Sequence, residues 1–105
     1  MKEKTVSELK QLIDSGTDFQ LIDVREEYEY DAANINGELI PLSSILTSVD
    51  KISKDKPVIV HCKAGSRSAT AIHALEQNFG FNNLYNLKGG IMAWAKEIDP
   101  TLQVI

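Results

Sequence analysis

One segment organises this chain: Pro57-Val58-Ile59-Val60-His61-Cys62-Lys63-Ala64-Gly65-Ser66-Arg67-Ser68-Ala69. Its apolar run, residues 58–60, is continuous and β-branched, which is typical of an interior parallel strand covered on both faces. Pro57 precedes the run and has no amide hydrogen to donate to a neighbouring strand. The pattern therefore predicts a buried strand with Cys62, the only cysteine, at its carboxyl end.

The residues after the strand have the spacing of a helix. From Ser66 onward the apolar positions recur every three or four residues, and these positions are Ala69, Ile72, Leu75 and Phe79. Gly80 is predicted to end this helix, since glycine readily takes the left-handed conformation found there. The segment thus predicts a strand, a short loop that contains Gly65, and a helix.

This arrangement favours the ionised form of Cys62. The backbone amides of Lys63 to Arg67 are predicted to curl toward the sulfur, and the helix start supplies partial positive charge. Such surroundings lower a cysteine pKa from about 8.5 to roughly 3.5–7.5. We therefore expect a nucleophilic thiolate, whereas the alternative is a buried cysteine that only packs as a small apolar side chain.

The rest of the chain alternates helical and strand patterns. Thr5 and Glu8 have the spacing of a capping box, and Asn34 to Gly37 read as a turn. The further predicted elements are a helix that ends near Gly16, a strand at 19–24, a helix at 26–33, an edge strand at 38–42, a helix that Ser43 or Ser44 caps and that ends near Ile52, a strand at 84–87 and a helix at 91–98. We expect one α/β domain over residues 1–105, with a parallel sheet of four or five strands and helices on both faces.

Composition limits the classes of function. The chain has 105 residues, a net charge of −4, one cysteine and two histidines, so it has no internal disulfide and no ordinary Cys/His zinc site. Residues 1–52 hold 11 of the 15 acidic side chains, which leaves the half that contains Cys62 positively charged. We expect no nucleic-acid partner for want of a basic stripe, no membrane segment, and a cytoplasmic location that keeps the thiol reduced.

Three motifs in order resemble the rhodanese (sulfurtransferase) family. Residues 62–67 fit Cys-x-x-Gly-x-Arg, residues 21–26 (Leu-Ile-Asp-Val-Arg-Glu) resemble that family's first strand motif, and residues 87–94 (Leu-Lys-Gly-Gly-Ile-Met-Ala-Trp) resemble its C-terminal motif. One departure is Asn34, where the family usually has histidine before Ile-x-Gly. The resemblance implies a single α/β domain whose cysteine accepts a sulfane sulfur as a persulfide, held by the amides of a six-residue loop.

Two other functions compete with this interpretation. Cysteine-based phosphatases and arsenate reductases place five residues between cysteine and arginine, whereas four separate Cys62 from Arg67, which shortens the loop by roughly 3.5 Å. The shorter loop favours a single sulfur atom over a phosphoryl group. A non-catalytic binding module of the same fold is the other alternative, although such modules usually lack the cysteine.

The predicted site consists of Cys62 as nucleophile and Lys63, Ala64, Gly65, Ser66 and Arg67 as the donor-binding loop. We expect Arg67 to organise the loop and Lys63 to attract a thiosulfate-like anion. Because no second cysteine can discharge a persulfide, an external thiol such as thioredoxin or glutathione is the expected acceptor. No cofactor or metal is expected, and the protein is predicted to be a monomer.

Four residues near this site are predicted to have structural roles. Asp23 and Arg25 lie at a neighbouring strand end and are expected to pair and brace the loop. His61 is expected to be a half-buried histidine with its hydrogen bonds satisfied, and Trp94 is expected to pack in the core.

Overall fold

A computed structural model describes the whole chain, residues 1–105. Strands and helices alternate along most of it. In chain order the elements are β1 (Glu3–Lys4), α1 (Val6–Asp14), β2 (Gln20–Asp23), α2 (Glu27–Ala32), β3 (Glu38–Leu39), two 3₁₀ helices (Leu42–Thr47 and Val49–Lys51), β4 (Val58–His61), α3 (Ser66–Phe79), β5 (Leu84–Leu87) and α4 (Gly90–Glu97).

The five strands form one parallel sheet in the order β1-β5-β4-β2-β3. Strand β4 lies at its centre, and Val60 pairs with Ile22 of β2 and with Asn86 of β5. All four residues of β4 are buried, and for Val58, Ile59 and Val60 this is what their continuous apolar run predicts. The predicted α/β fold is therefore confirmed, and Cys62 follows β4 at the edge of the sheet where the strands' carboxyl ends meet.

Helices cover both faces of the sheet and create two apolar clusters. The larger cluster contains Val58, Val60 and Cys62 together with buried residues of α3 and the first 3₁₀ helix. The smaller one contains Ile59 with residues of α1 and α4, and Trp94 packs there as predicted. Fully burying one aliphatic side chain of this size contributes roughly 1.5–3 kcal/mol, so the two clusters hold the helices against β4. None of the helices has the length and apolar character needed to cross a membrane.

Local signals account for several boundaries. The Thr5 hydroxyl accepts a bond from the Glu8 amide at 3.1 Å, and the Glu8 carboxylate accepts one from the Thr5 amide at 2.9 Å, which completes the predicted capping box. Gly80 ends α3 with a φ of +68°. The predicted turn at Asn34 is also present, because the Asn34 side chain accepts a bond from the Asn36 amide at 2.9 Å and donates one to the Tyr30 carbonyl at 3.1 Å.

The sequence patterns do not predict β1. Its two residues, Glu3 and Lys4, have no apolar alternation, and the strand is held by backbone bonds to β5. The Asn86 amide donates to the Lys2 carbonyl and the Lys88 amide donates to the Lys4 carbonyl, both at 2.9 Å. Because backbone pairing does not depend on side-chain type, no side-chain pattern marks this strand.

The predicted helix over residues 43–52 is wrong in type. Two 3₁₀ helices replace it, no serine side chain caps them, and Leu46 is exposed. With three residues per turn, a 3₁₀ helix places Leu42, Ile45 and Ser48 on one side, toward the core. The edge strand is also shorter than predicted and ends at Leu39, and Phe79 at the end of α3 is exposed.

Candidate active site

Cys62 lies between the centre of the sheet and the start of α3. The residue is only 1% exposed, because it is enclosed between the larger apolar cluster, to which it belongs, and the loop that follows it. Gly65 precedes α3 with a φ of +121°, a conformation that side-chain-bearing residues rarely adopt. This turn lets the chain reverse above the sulfur within three residues.

Backbone amides and one hydroxyl surround the sulfur. The Gly65 amide donates to Cys62 Sγ at 3.1 Å and the Ser68 amide donates at 3.4 Å. The Ser68 hydroxyl oxygen lies 3.3 Å from the same sulfur. The first amides of a helix have no partner within the helix, so the Ser68 amide in the first turn of α3 is free to bind the sulfur.

These groups favour the thiolate. Burial raises the pKa of the Cys62 thiol, but the Ser68 hydroxyl and the amides of Ser68, Gly65 and Ala64 outweigh burial and bring the pKa below its ordinary value. A hydrogen bond to a charged group is worth about 1.5–3 kcal/mol, which explains why a few of them are sufficient. The sulfur therefore ionises more readily than an ordinary cysteine thiol, although it is buried.

The structure brings some of the predicted loop residues to the sulfur and not others. The amides of Ala64 and Gly65 act on it, while those of Lys63, Ser66 and Arg67 do not hydrogen-bond to it. Ser68 is the residue that the sequence analysis missed. Its signal is its position as the third residue of the helix that follows Gly65, where both the amide and a short side chain face back toward the loop.

Arg67 binds a carboxylate and not the sulfur. Its Nη1 lies 2.6 Å from Glu29 Oε1 and its Nη2 lies 2.9 Å from Glu29 Oε2, so the pair is bidentate. This bonding overcomes the opposing effect of burial and lowers the pKa of Glu29 to about 2. Arg67 therefore ties the start of α3 to α2, which agrees with a role in organising the loop.

Asp23 and Arg25 form a second ion pair, which is fully buried. The Arg25 guanidinium donates to both carboxylate oxygens of Asp23, and its Nη2 also donates to the Ala33 carbonyl at 2.8 Å. Arg25 Nη1 donates to the Glu29 carbonyl at 3.5 Å. The predicted pairing is confirmed, but Arg25 holds the carbonyls of Glu29 and Ala33, and neither Asp23 nor Arg25 hydrogen-bonds through its side chain to the loop that the pair was expected to brace.

His61 differs from its predicted state. It is fully buried, and its Nε2 lies 3.6 Å from Asp23 Oδ2 without a hydrogen bond. The ring Nδ1 lies 3.4 Å from the Cys62 carbonyl oxygen. Burial lowers the pKa of His61 in spite of the nearby Asp23 carboxylate, so the ring is neutral at pH 7. The prediction of a half-buried, satisfied histidine is wrong, because the ring has no exposed surface and its Nε2 has no hydrogen-bond partner.

The start of α4 fixes the first part of the loop. The amides of Ile91 and Met92 donate to the carbonyls of Cys62 and Lys63 at 3.0 and 3.1 Å. A carbonyl and the next amide lie in one peptide plane and point in opposite directions, so the Lys63 carbonyl turned toward α4 directs the Ala64 amide away from α4. Gly90 permits this approach, since a Cβ there would lie 2.6 Å from the Cys62 carbonyl oxygen and closer still to that of Lys63.

No groove of the molecule opens onto the sulfur. Four open grooves lie on the molecule, and none is lined by Cys62 or by residues 63–67. No three histidine, cysteine, aspartate or glutamate side chains lie together as a metal site would require.

Fold and site together define a class, namely small parallel α/β domains that place a cysteine under a short loop at the carboxyl end of the central strand. The family model of the rhodanese-like domain matches residues 5–97, and this chain belongs to that family.

Several relatives support this assignment. The chain is 41% identical over 101 residues to "Probable adenylyltransferase/sulfurtransferase MoeZ" of Mycobacterium tuberculosis, covering 93% of this chain but only 26% of that protein. It is 35% identical to a "Sulfurtransferase" of Allochromatium vinosum, covering 84% of this chain and 82% of the relative. The crystal structure of a rhodanese-like domain protein from Staphylococcus aureus superimposes with a TM-score of 0.84 at 32% identity, over 100% of this chain and 99% of the other.

Proposed function

We propose that this protein is a sulfurtransferase that carries a sulfane sulfur as a persulfide on Cys62. The observation that carries the proposal is the set of donors around Cys62 Sγ, namely the Gly65 amide at 3.1 Å, the Ser68 amide at 3.4 Å and the Ser68 hydroxyl at 3.3 Å. No histidine or carboxylate side chain hydrogen-bonds to the sulfur as a general base would. The hydrogen-bond donors alone therefore favour the thiolate. The names of the relatives, which include sulfurtransferases, support the same class of reaction.

The loading step needs only the thiolate and an activated sulfur. Cys62 Sγ attacks the outer sulfur of thiosulfate, a new S–S bond forms, and the old S–S bond breaks with its electron pair leaving on sulfite. The negative charge then lies on the terminal sulfur of the persulfide. The amides that faced the thiolate stabilise this charge as they would an oxyanion.

The discharge step requires a second molecule. Cys62 is the only cysteine, so no thiol within the chain can attack the persulfide. A thiolate or cyanide takes the terminal sulfur, and the electron pair of the broken S–S bond returns to Cys62 Sγ. The acceptor is therefore an external thiol such as that of thioredoxin or glutathione, in a reducing compartment such as the cytoplasm.

The size of the loop favours sulfur over phosphoryl transfer. Four residues separate Cys62 from Arg67, and the Arg67 guanidinium is occupied by Glu29. A phosphatase needs a free guanidinium or further donors for a doubly charged phosphoryl group. The binding-only alternative is less favoured because the cysteine and its donors are present.

The test is to incubate the protein with thiosulfate and cyanide and to measure the thiocyanate that is released. We expect release from the unmodified protein and none from Cys62→Ser, which keeps the size of the side chain. An aryl phosphate is the parallel substrate. Hydrolysis of the phosphate together with no thiocyanate would overturn the proposal in favour of the phosphatase alternative.

A further inference from the structure

Asn86, on β5, does not hydrogen-bond to the sulfur but binds Ser68, whose hydroxyl lies against it. Its Oδ1 lies 2.6 Å from the Ser68 hydroxyl oxygen, and its Nδ2 donates to the Gly65 carbonyl at 3.1 Å. The side chain is almost fully buried. Because the Gly65 carbonyl can only accept, Nδ2 must face it, and this fixes the orientation of the amide with Oδ1 toward Ser68.

The Ser68 hydroxyl has one proton and three acceptors within reach. They are Asn86 Oδ1 at 2.6 Å, the Gly65 carbonyl at 3.1 Å and Cys62 Sγ at 3.3 Å. The Gly65 carbonyl already accepts from Asn86 Nδ2 and from the Ala69 amide. The proton therefore has two real destinations, the Asn86 carbonyl and the sulfur.

The protonation of Cys62 decides between these two destinations. When Cys62 is a thiol, its S–H can donate to the Ser68 oxygen while the hydroxyl donates to Asn86. When the thiol proton has left to solvent, the thiolate can only accept, so the hydroxyl turns to it and leaves Asn86 Oδ1 without its only donor. A buried carbonyl that loses its donor has a free-energy cost, which opposes the turn.

We propose that Asn86 is a positioning residue whose carbonyl competes with the Cys62 thiolate for the Ser68 hydroxyl proton, so that this hydroxyl alternates between them during the reaction. The role of this alternation in the reaction rests on the proposed persulfide cycle. In the persulfide the charge lies on the terminal sulfur, so the hydroxyl returns to Asn86. When the electron pair comes back to Cys62 Sγ at discharge, the hydroxyl turns to the sulfur again.

Other charged groups near Cys62 do not share this arrangement. Arg67 is paired with Glu29 on α2, and the His61 ring lies beside Asp23 on β2. Neither side chain hydrogen-bonds to Ser68 or Asn86. Lys63 is the remaining cation of the loop, and its side chain makes no hydrogen bond to them either.

A double-mutant cycle on the full chain separates competition from simple bracing. The pKa of Cys62 is read from the rate of iodoacetamide alkylation against pH in the unmodified protein, Ser68→Ala, Asn86→Leu and the double variant. Ser68→Ala should raise the pKa because a donor to the thiolate is lost, whereas Thr70→Ala, which removes an exposed hydroxyl from the same helix, should not change it.

The coupling between the two substitutions distinguishes competition for the hydroxyl proton from simple bracing. Asn86→Leu should lower the Cys62 pKa when Ser68 is present. At a pH below the pKa the alkylation rate should then rise about two- to tenfold, since the thiolate fraction rises about tenfold for each unit by which the pKa falls. In the Ser68→Ala background this gain should vanish. An effect of Asn86→Leu that is the same in both backgrounds would overturn the proposal and leave Asn86 as a brace for Gly65.

A second measurement needs no substitution at Asn86. The side-chain carbonyl ¹³C resonance of Asn86 should shift with the same midpoint as Cys62 ionisation, while that of Asn83, at the other end of β5, should not. In Ser68→Ala the shift at Asn86 should disappear. No shift in the unmodified protein would overturn the proposal. Neither measurement uses a sulfur donor, so its outcome is independent of whether thiosulfate loads Cys62.

Discussion

Arg67 Nη1 and Nη2 lie 2.6 and 2.9 Å from the two carboxylate oxygens of Glu29. The arginine of the loop is therefore neutralised by a partner on α2. Its positive charge is shared with a carboxylate instead of being directed only at Cys62 or at an incoming anion. Arg67 acts on the site chiefly by holding the start of α3 in place.

Glu29→Gln should destabilise the protein in a pH-dependent way. The pKa of Glu29 is about 2 in the folded protein against an ordinary 4.5, so its stabilisation is present above about pH 4.5 and is lost as the pH falls toward 2. We expect a loss of about 1–2 kcal/mol in the free energy of unfolding at pH 7, allowing for the partial exposure of Arg67. Urea unfolding at pH 7 and pH 3 measures this.

The matched control for this prediction is Glu27→Gln, which changes an exposed carboxylate of the same helix. Its loss should be much smaller at both pH values. If the two variants lose the same free energy, or if the loss in Glu29→Gln does not shrink at pH 3, the ion pair does not stabilise the protein as described.

Gly90→Ala should disturb both stability and the site. The added Cβ would meet the carbonyls of Cys62 and Lys63, and Gly90 has a φ of +61°. We expect a loss above about 2 kcal/mol, since the left-handed conformation alone costs roughly 1–2 kcal/mol. The Cys62 pKa should rise because the loop amides are displaced, and alkylation against pH reports this.

Gly16→Ala provides the comparison for Gly90. Its φ is +68°, but a Cβ there meets no atom within 4 Å. It should therefore lose only the backbone contribution and leave the Cys62 pKa unchanged. Equal losses in the two variants would mean that the close approach of α4 to the loop has no energetic role.

Lys63→Gln should weaken the use of an anionic donor. Because Arg67 is paired, Lys63 is the unpaired cation of the loop, and its charge should raise the local concentration of thiosulfate. We expect kcat/KM for thiosulfate to fall about two- to fivefold at low ionic strength, with the difference shrinking above 0.1 M salt, where the Debye length is about 10 Å.

Lys51→Gln removes the same charge at the opposite end of the sheet, since the Lys51 carbonyl accepts a bond at 2.7 Å from Gln20, the first residue of β2. It should leave kcat/KM unchanged. An effect of similar size in both variants would assign the change to net charge, and Lys63 would lose its role.

The sequence predicts the parts of the site that are local along the chain. The β-branched run of β4 and the helical spacing of α3 are side-chain patterns, so they indicate Cys62 and Gly65 at the join. Residues that reach the site from other elements leave no such pattern. Asn86 lies 18 residues from Ser68, and Glu29 lies 38 residues from Arg67, so their contacts depend on strand order and register. The same reason explains why burial of His61 and the close approach of Gly90 were not predicted.

The most direct test of the central claim is the intact mass of the protein after incubation with thiosulfate. The account predicts a gain of one sulfur atom per chain that persists in buffer free of thiols, is removed by cyanide or a dithiol, and is absent from Cys62→Ser. An unchanged mass in the unmodified protein, under conditions where iodoacetamide still alkylates Cys62, would contradict a persulfide carrier built on this cysteine.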